Sequence, residues 1–206
     1  MDYTNNWKSS KVFEEQLKLN LSEINSNYPQ HWEDFLTYVK SYGIKSVLDL
    51  GCGCGVYGEL CRRELPDVKY YGSDYSIEAI DIAKSNFKGL DFFVGDIFSW
   101  DYSKTPKVDT IHAGALLDVL PNGNDAFRKI DLIAESCNCK SIIIGRIRFT
   151  PGESGYSIYK AYDLIETYEY RHNRKEFTML VESLGYSIIN EKESPSGKTI
   201  FLKKLK

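Results

Sequence analysis

Residues 47–55 read Val47-Leu48-Asp49-Leu50-Gly51-Cys52-Gly53-Cys54-Gly55, and a helical pattern follows from about Tyr57. With Ser46, the first half of this stretch makes a short strand built on Val47, Leu48 and Leu50. Such a strand is buried on both faces, as strands of parallel sheets are. The second half places three glycines at alternate positions, where the backbone turns sharply and a ligand approaches closer than any Cβ would permit. In an open α/β sheet that ligand lies beyond the carboxyl ends of the strands, at the point where the strand order reverses.

Working outward, the same alternation continues. Strands are expected at 68–73, 91–94, 108–113 and 141–147, with helices at 57–64, 76–87 and 124–135. Strands alternating with helices imply a parallel sheet with right-handed crossovers and helices on both faces. After a helix at 174–184, strands at 186–191 and 199–205 flank the turn Ser194-Pro195-Ser196-Gly197. Two strands joined so tightly form a hairpin, so the last must run antiparallel to its neighbour. Ahead of the glycine strand, 3–42 reads as helical with a break at Tyr28-Pro29. The expected fold is α/β: a Rossmann-like doubly wound sheet of seven strands, mostly parallel with an antiparallel last strand, preceded by N-terminal helices.

The chain has 206 residues, 42% hydrophobic and 27% charged, which suits one well-cored domain. A net charge of −3 lacks the basic excess that a phosphate backbone attracts, so no nucleic-acid partner is expected. The N-terminal residues carry no signal-peptide pattern, and the apolar runs are too short to cross a bilayer, so the expected setting is cytoplasmic with no membrane partner. Cys52, Cys54, Cys61, Cys137 and Cys139 are odd in number, and 52/54 and 137/139 form two pairs separated by a single residue. Neither a disulfide framework nor a zinc site has that spacing, and no metal is expected.

Three further segments stand at expected strand ends. Tyr70-Tyr71-Gly72-Ser73-Asp74-Tyr75 brings an acid to the end of the second strand, where a carboxylate can accept both ribose hydroxyls of a nucleoside. Phe93-Val94-Gly95-Asp96-Ile97 follows the third strand, and Ile111-His112-Ala113-Gly114-Ala115 leads into Leu116-Leu117-Asp118-Val119 after the fourth. Taken one at a time, Asp74 also reads as a helix cap, Asp96 as a turn residue, Asp118 as a cap and His112 as a core histidine. Together with the glycine turn, these segments resemble class I S-adenosylmethionine-dependent methyltransferases of the small-molecule type. The family's first motif, an acid, any residue, then three alternating glycines, is matched by Asp49, Gly51, Gly53 and Gly55. A dinucleotide oxidoreductase would instead need a third glycine where Val56 stands.

The resemblance implies S-adenosylmethionine as cofactor, held by Asp49, Gly51, Gly53, Gly55, Asp74, Tyr75, Asp96, Ile97 and Ala113. It implies a single methyltransferase domain over 1–206. Within it, 1–43 forms a helical lid, 44–147 the cofactor-binding core, 148–174 a substrate cap, and 175–206 the final helix and hairpin. The run 170–177 with Leu184-Gly185-Tyr186 is loosely similar to methyltransferases of surface-polysaccharide gene clusters. The expected activity is in-line methyl transfer to oxygen or nitrogen of a small molecule: a sugar, nucleotide sugar or small acid. The alternative is a protein that binds the cofactor without transferring methyl. Candidate bases are Asp118 and His172, with His31 and His112 behind them, and candidate substrate contacts are Arg146, Tyr168 and Arg174. The tyrosines of 148–174 offer apolar walls with polar tips, although 157–166 also reads as a helix packing its aromatic face on the fold. A monomer or homodimer is expected.

Overall fold

The computed structural model describes residues 7, 9–120, 122–162 and 164–205, with the backbone alone described at 159, 165 and 168. Two helices come first, α1 (Ser10–Ile24) and α2 (Gln30–Ser41). The alternating core follows: β1 (Ser46–Leu50), α3 (Val56–Glu64), β2 (Lys69–Asp74), α4 (Ile77–Asn86), β3 (Asp91–Val94), β4 (Thr110–Gly114), α5 (Gly123–Cys137) and β5 (Ser141–Ile147). Then come β6 (Phe149–Thr150), β7 (Gly155–Ala161), β8 (Ile165–Asn173), α6 (Arg174–Ser183), β9 (Tyr186–Ser194) and β10 (Gly197–Lys204).

The main sheet has seven strands in the order β3-β2-β1-β4-β5-β10-β9. Strands β1 to β5 pair in parallel, and β10 runs antiparallel to both β5 and β9. The strand order reverses between β1 and β4, so the switch point lies beside the glycine turn. The expected α/β fold with its reversed last strand is the observed one.

Alternation along the strands feeds two cores. Leu48, Leu50, Ile142 and Ile144 pack with Phe127 and Ile130 of α5 and Phe177 of α6. Val47, Ile143 and Phe201 face the other way, against Phe35 of α2 and Leu60 of α3. The helix starts are set by short polar side chains: Ser76 Oγ accepts from Ala79 N, Asn122 Oδ1 from Asn124 N and Asp125 N, and Asn173 Oδ1 from Glu176 N. Asn122, and not Asp118, therefore caps α5.

The segment after β5 differs in local form from the helix that 157–166 suggests. Instead of a helix at 157–166 there is a β-hairpin, β7 paired antiparallel with β8, and β6 adds to β8 as a third strand. The spacing of Ile158, Ala161, Tyr162 and Ile165 mimics a helical stripe, yet Ile158 is 67% exposed, on a face of the hairpin that no layer covers among the described residues.

Candidate active site

The carboxyl ends of β1 to β5 open onto one cavity of about 850 Å³. Its floor is the glycine turn. Gly51 N and Cys52 N donate to Ser73 O at 2.8 and 2.9 Å, tying the turn to the end of β2. Gly51 and Gly53 have φ of +71° and +53°, the left-handed region that favours glycine. A Cβ on Gly51 would lie 2.8 Å from Leu116 Cδ1, and one on Gly53 2.7 Å from Gln16 Oε1 of α1. Gly55 was expected in the same role, but it lies off the cavity wall. Its φ of +86° starts α3, and a Cβ there would meet the ring of Phe92 at 2.6 Å. The third glycine of the motif thus serves packing of helix on sheet.

Asp74 closes the floor. Its Oδ2 accepts from Gly53 N at 2.9 Å and its Oδ1 from Ser76 N at 3.0 Å. Burial pushes the carboxyl up to about 6, partly offset by these two amides and that of Tyr75. A carboxylate has about four lone-pair positions and three are taken by these amides, so about one remains for a ribose hydroxyl on the cavity side. Tyr75, Asp96 and Ile97 line the next part of the wall. Asp96 Oδ1 also accepts from Phe98 N at 2.9 Å, so it is a turn residue as well as a wall residue. Ala113, expected to face the ligand, is wholly buried in the core, and Gly114 and Ala115 take that place because β4 runs one residue further.

Asp49 reaches the cavity wall only as part of a buried network. Its Oδ2 accepts from Tyr70 Oη at 2.6 Å, and its Oδ1 lies 2.7 Å from His112 Nδ1. His112 is thereby a core histidine, with its Nε2 lacking a partner among the described residues. The motif acid acts on the glycine turn by fixing the strand beneath it.

Three covers close the cavity from above. From α1 and its approach come Trp7, Phe13, Gln16 and Glu23; from the hairpin tip come Lys160, Ala161 and Tyr162; from the β9–β10 turn come Ser194, Pro195 and Ser196. The last group gave no sequence signal, because only the fold reveals that this turn reaches back over β5. At the start of α2, His31 lines the same space, its Nδ1 3.4 Å from Ser196 Oγ. Burial, Arg146 and His112 together push His31 down to about 3, so it stays neutral.

The other expected site residues separate. Arg146 lines the cavity. Asp118 does not; it faces a second space of about 30 Å³ with Arg146, Arg148 and Glu169. Burial pushes its carboxyl up to about 7. His172 is fully buried, 3.6 Å from Asp118 Oδ1 and packed among Phe149, Tyr170 and Phe177, and burial pushes it down to about 4. Arg174 pairs with Glu191 at 2.5 Å and stacks on Phe149, away from the cavity. His172 and Arg174 therefore hold the hairpin to α6 and β9 rather than facing a ligand. The side chain of Tyr168 lies outside the described residues. Among the described residues, no three His, Cys, Asp or Glu side chains gather as metal ligands would, and no helix is long and apolar enough to cross a membrane.

A family model described as a methyltransferase domain matches residues 44–148, the stretch from β1 to β5. Among solved structures, the chain resembles human N-acetylserotonin methyltransferase in complex with S-adenosylmethionine, with a TM-score of 0.70 and 20% identity over 99% of this chain and 59% of that one. It also resembles S-adenosylmethionine-bound CalS10, an amino pentose methyltransferase of Micromonospora echinaspora (TM-score 0.69, 10% identity, 92% of this chain and 96% of that one). A third likeness is to an S-adenosylmethionine-dependent methyltransferase of Clostridium acetobutylicum, with a TM-score of 0.65 and 15% identity over 93% of this chain and 98% of that one. At such identities the likeness is one of fold.

Proposed function

The chain belongs to the S-adenosylmethionine-dependent methyltransferase family, and from that premise we propose that its acceptor is a small molecule enclosed in the cavity beside the cofactor. The observation that carries this reading is the convergence of the glycine turn, Asp74 and Asp96 on one covered space of about 850 Å³. That volume lies near the top of the range for small-molecule sites, which fits a cofactor together with a modest acceptor.

The residues present fit the cofactor. Gly51 and Gly53 would let the backbone approach it, Asp74 keeps acceptor capacity for a ribose hydroxyl, and Asp96 and Ile97 line the wall where the family resemblance puts the adenine ring. When bound, the cofactor supplies an electrophilic methyl carbon on a cationic sulfur. The protein's task is alignment and exclusion of water, since in-line attack tolerates little displacement. Gly114 and Ala115 leave space at the end of β4 for the reacting groups. Of the four candidate bases, His31 is the one on the cavity wall; held neutral and weakly basic, it can accept a hydrogen bond that orients an acceptor hydroxyl or amine. Asp118 lies outside this space and borders the smaller one that Arg146 also lines.

The amino pentose methyltransferase among the similar structures supports including sugars in the first acceptor panel. The test is release of S-adenosylhomocysteine from S-adenosylmethionine with sugars, nucleotide sugars and small acids. Turnover with any of them supports the reading. Cofactor binding with no turnover across the panel would favour a binding protein instead.

A further inference from the structure

Arg146 is the residue on the cavity wall whose placement the fold does most to force. Between β5 and β10 the pairing passes from Ile144↔Ile200 to Ile147↔Lys198, so three steps along β5 oppose two along β10. This is a β-bulge with the extra residue on β5. It lets Ile147 return to the core face shared by Ile142 and Ile144 and leaves Arg146 out of the alternation. Its φ is +62°, a left-handed conformation that an arginine adopts only under constraint. Bulges and strained residues of this kind gather at functional sites, where they re-aim one side chain.

The re-aimed side chain faces the cavity, and its guanidinium is not used up by the protein. Nε is buried and has no hydrogen-bond partner among the described residues. None of the ion pairs among those residues includes Arg146, whereas the nearby Arg148, Arg171 and Arg174 all have carboxylate partners. A buried guanidinium donor without an acceptor is costly, and a planar anion would satisfy it through two parallel hydrogen bonds. Glu23 and Asp118 lie within electrostatic reach but close no ion pair with it, and burial favours the neutral form of both. Lys160 of the hairpin tip adds a second cation to the cavity wall.

We propose that Arg146 forms an anion subsite for the methyl acceptor, so that the acceptor carries a carboxylate or a phosphate monoester. This rests on the methyltransferase reading and narrows it to acidic small molecules. Arg146 stands at the end of β5, two strands beyond the glycine turn, and therefore on the acceptor side of the cavity.

The experiment is calorimetric titration of the protein saturated with S-adenosylhomocysteine, using benzoate, phenyl phosphate and uncharged benzamide as probes. At least one anion should bind tenfold or more tightly than benzamide. Arg146→Gly should erase that preference, and Arg146→Lys should keep part of it as a point charge. Glycine accepts the left-handed φ, so Arg146→Gly preserves the bulge, and unchanged binding of S-adenosylhomocysteine by this variant checks its fold. Preference for benzoate or for phenyl phosphate assigns the anion. Equal binding of all three probes, or an anion preference that survives in Arg146→Gly, overturns the subsite and leaves the methyltransferase reading intact. Failure of the parent protein to bind S-adenosylhomocysteine removes both.

Discussion

Two carboxyls carry opposite lessons about burial. Asp74 is pushed up to about 6, yet a ribose hydroxyl needs its carboxylate as acceptor. Cofactor affinity should therefore be full above pH 6 and fall by about tenfold per unit below it, because the proton must leave before the hydroxyl can donate. Calorimetry at pH 8, 6 and 5 reads this directly, and a flat profile would refute the role given to Asp74. Asp118 is pushed up to about 7 with no ligand to compensate. Below about pH 4 native and unfolded states both hold its proton; between about 4 and 7 only the native state does, so this residue's contribution to stability falls as pH rises through that window. Asp118→Asn removes the effect. Its stability relative to the parent should improve by roughly 2–3 kcal/mol between pH 5 and pH 8. Urea unfolding of both proteins at the two pH values decides, and an equal difference at both would show that Asp118 ionises freely. His172 shifts the other way and remains in both proteins, so it cancels from the comparison to first order.

At the scale of elements, the site was most legible where chemistry and backbone geometry coincide. Glycines at alternate positions after an apolar strand, and acids at the next two strand ends, can be read from residue type alone. Positions set by pairing register cannot. The bulge that turns Arg146 inward depends on how β10 meets β5, and the reach of Ser194 to Ser196 depends on the length of β9. The hairpin was misread because its exposed face removes the strict alternation that marks a half-buried strand, while His172 and Arg174 look like site residues until their partners are seen. Among the described residues, four non-glycine residues have positive φ, and Ala115, Arg146 and Tyr162 of these line the cavity. Two covers meet over the glycine turn: Tyr162 hydrogen-bonds Gln16, whose Oε1 accepts from Cys54 N at 3.3 Å. Losing one such bond is worth roughly 0.5–1.5 kcal/mol, so Gln16→Ala should release S-adenosylhomocysteine about two- to tenfold faster while the melting temperature barely moves. Stopped-flow displacement measures the rate. An unchanged rate would mean that α1 and the hairpin tip do not gate the cofactor.

For the molecule as a whole, seven strands, two faces of helices and three covers converge on a single space at the switch point of the sheet. An open α/β sheet with a glycine turn also serves dinucleotide enzymes, so fold alone does not choose the ligand. The choice rests on Val56 standing where a dinucleotide fingerprint needs glycine, and on the methyltransferase-domain match over 44–148; an acid placed like Asp74 serves a ribose in either case. Calorimetric titration of the purified protein with S-adenosylmethionine, and separately with NAD, tests that choice most directly. One S-adenosylmethionine should bind per chain, weakened about tenfold to a hundredfold in a folded Asp74→Ala variant as a ribose hydroxyl loses its acceptor, with no heat from NAD. Binding of NAD in place of S-adenosylmethionine, or S-adenosylmethionine affinity unchanged by Asp74→Ala, would contradict the assignment.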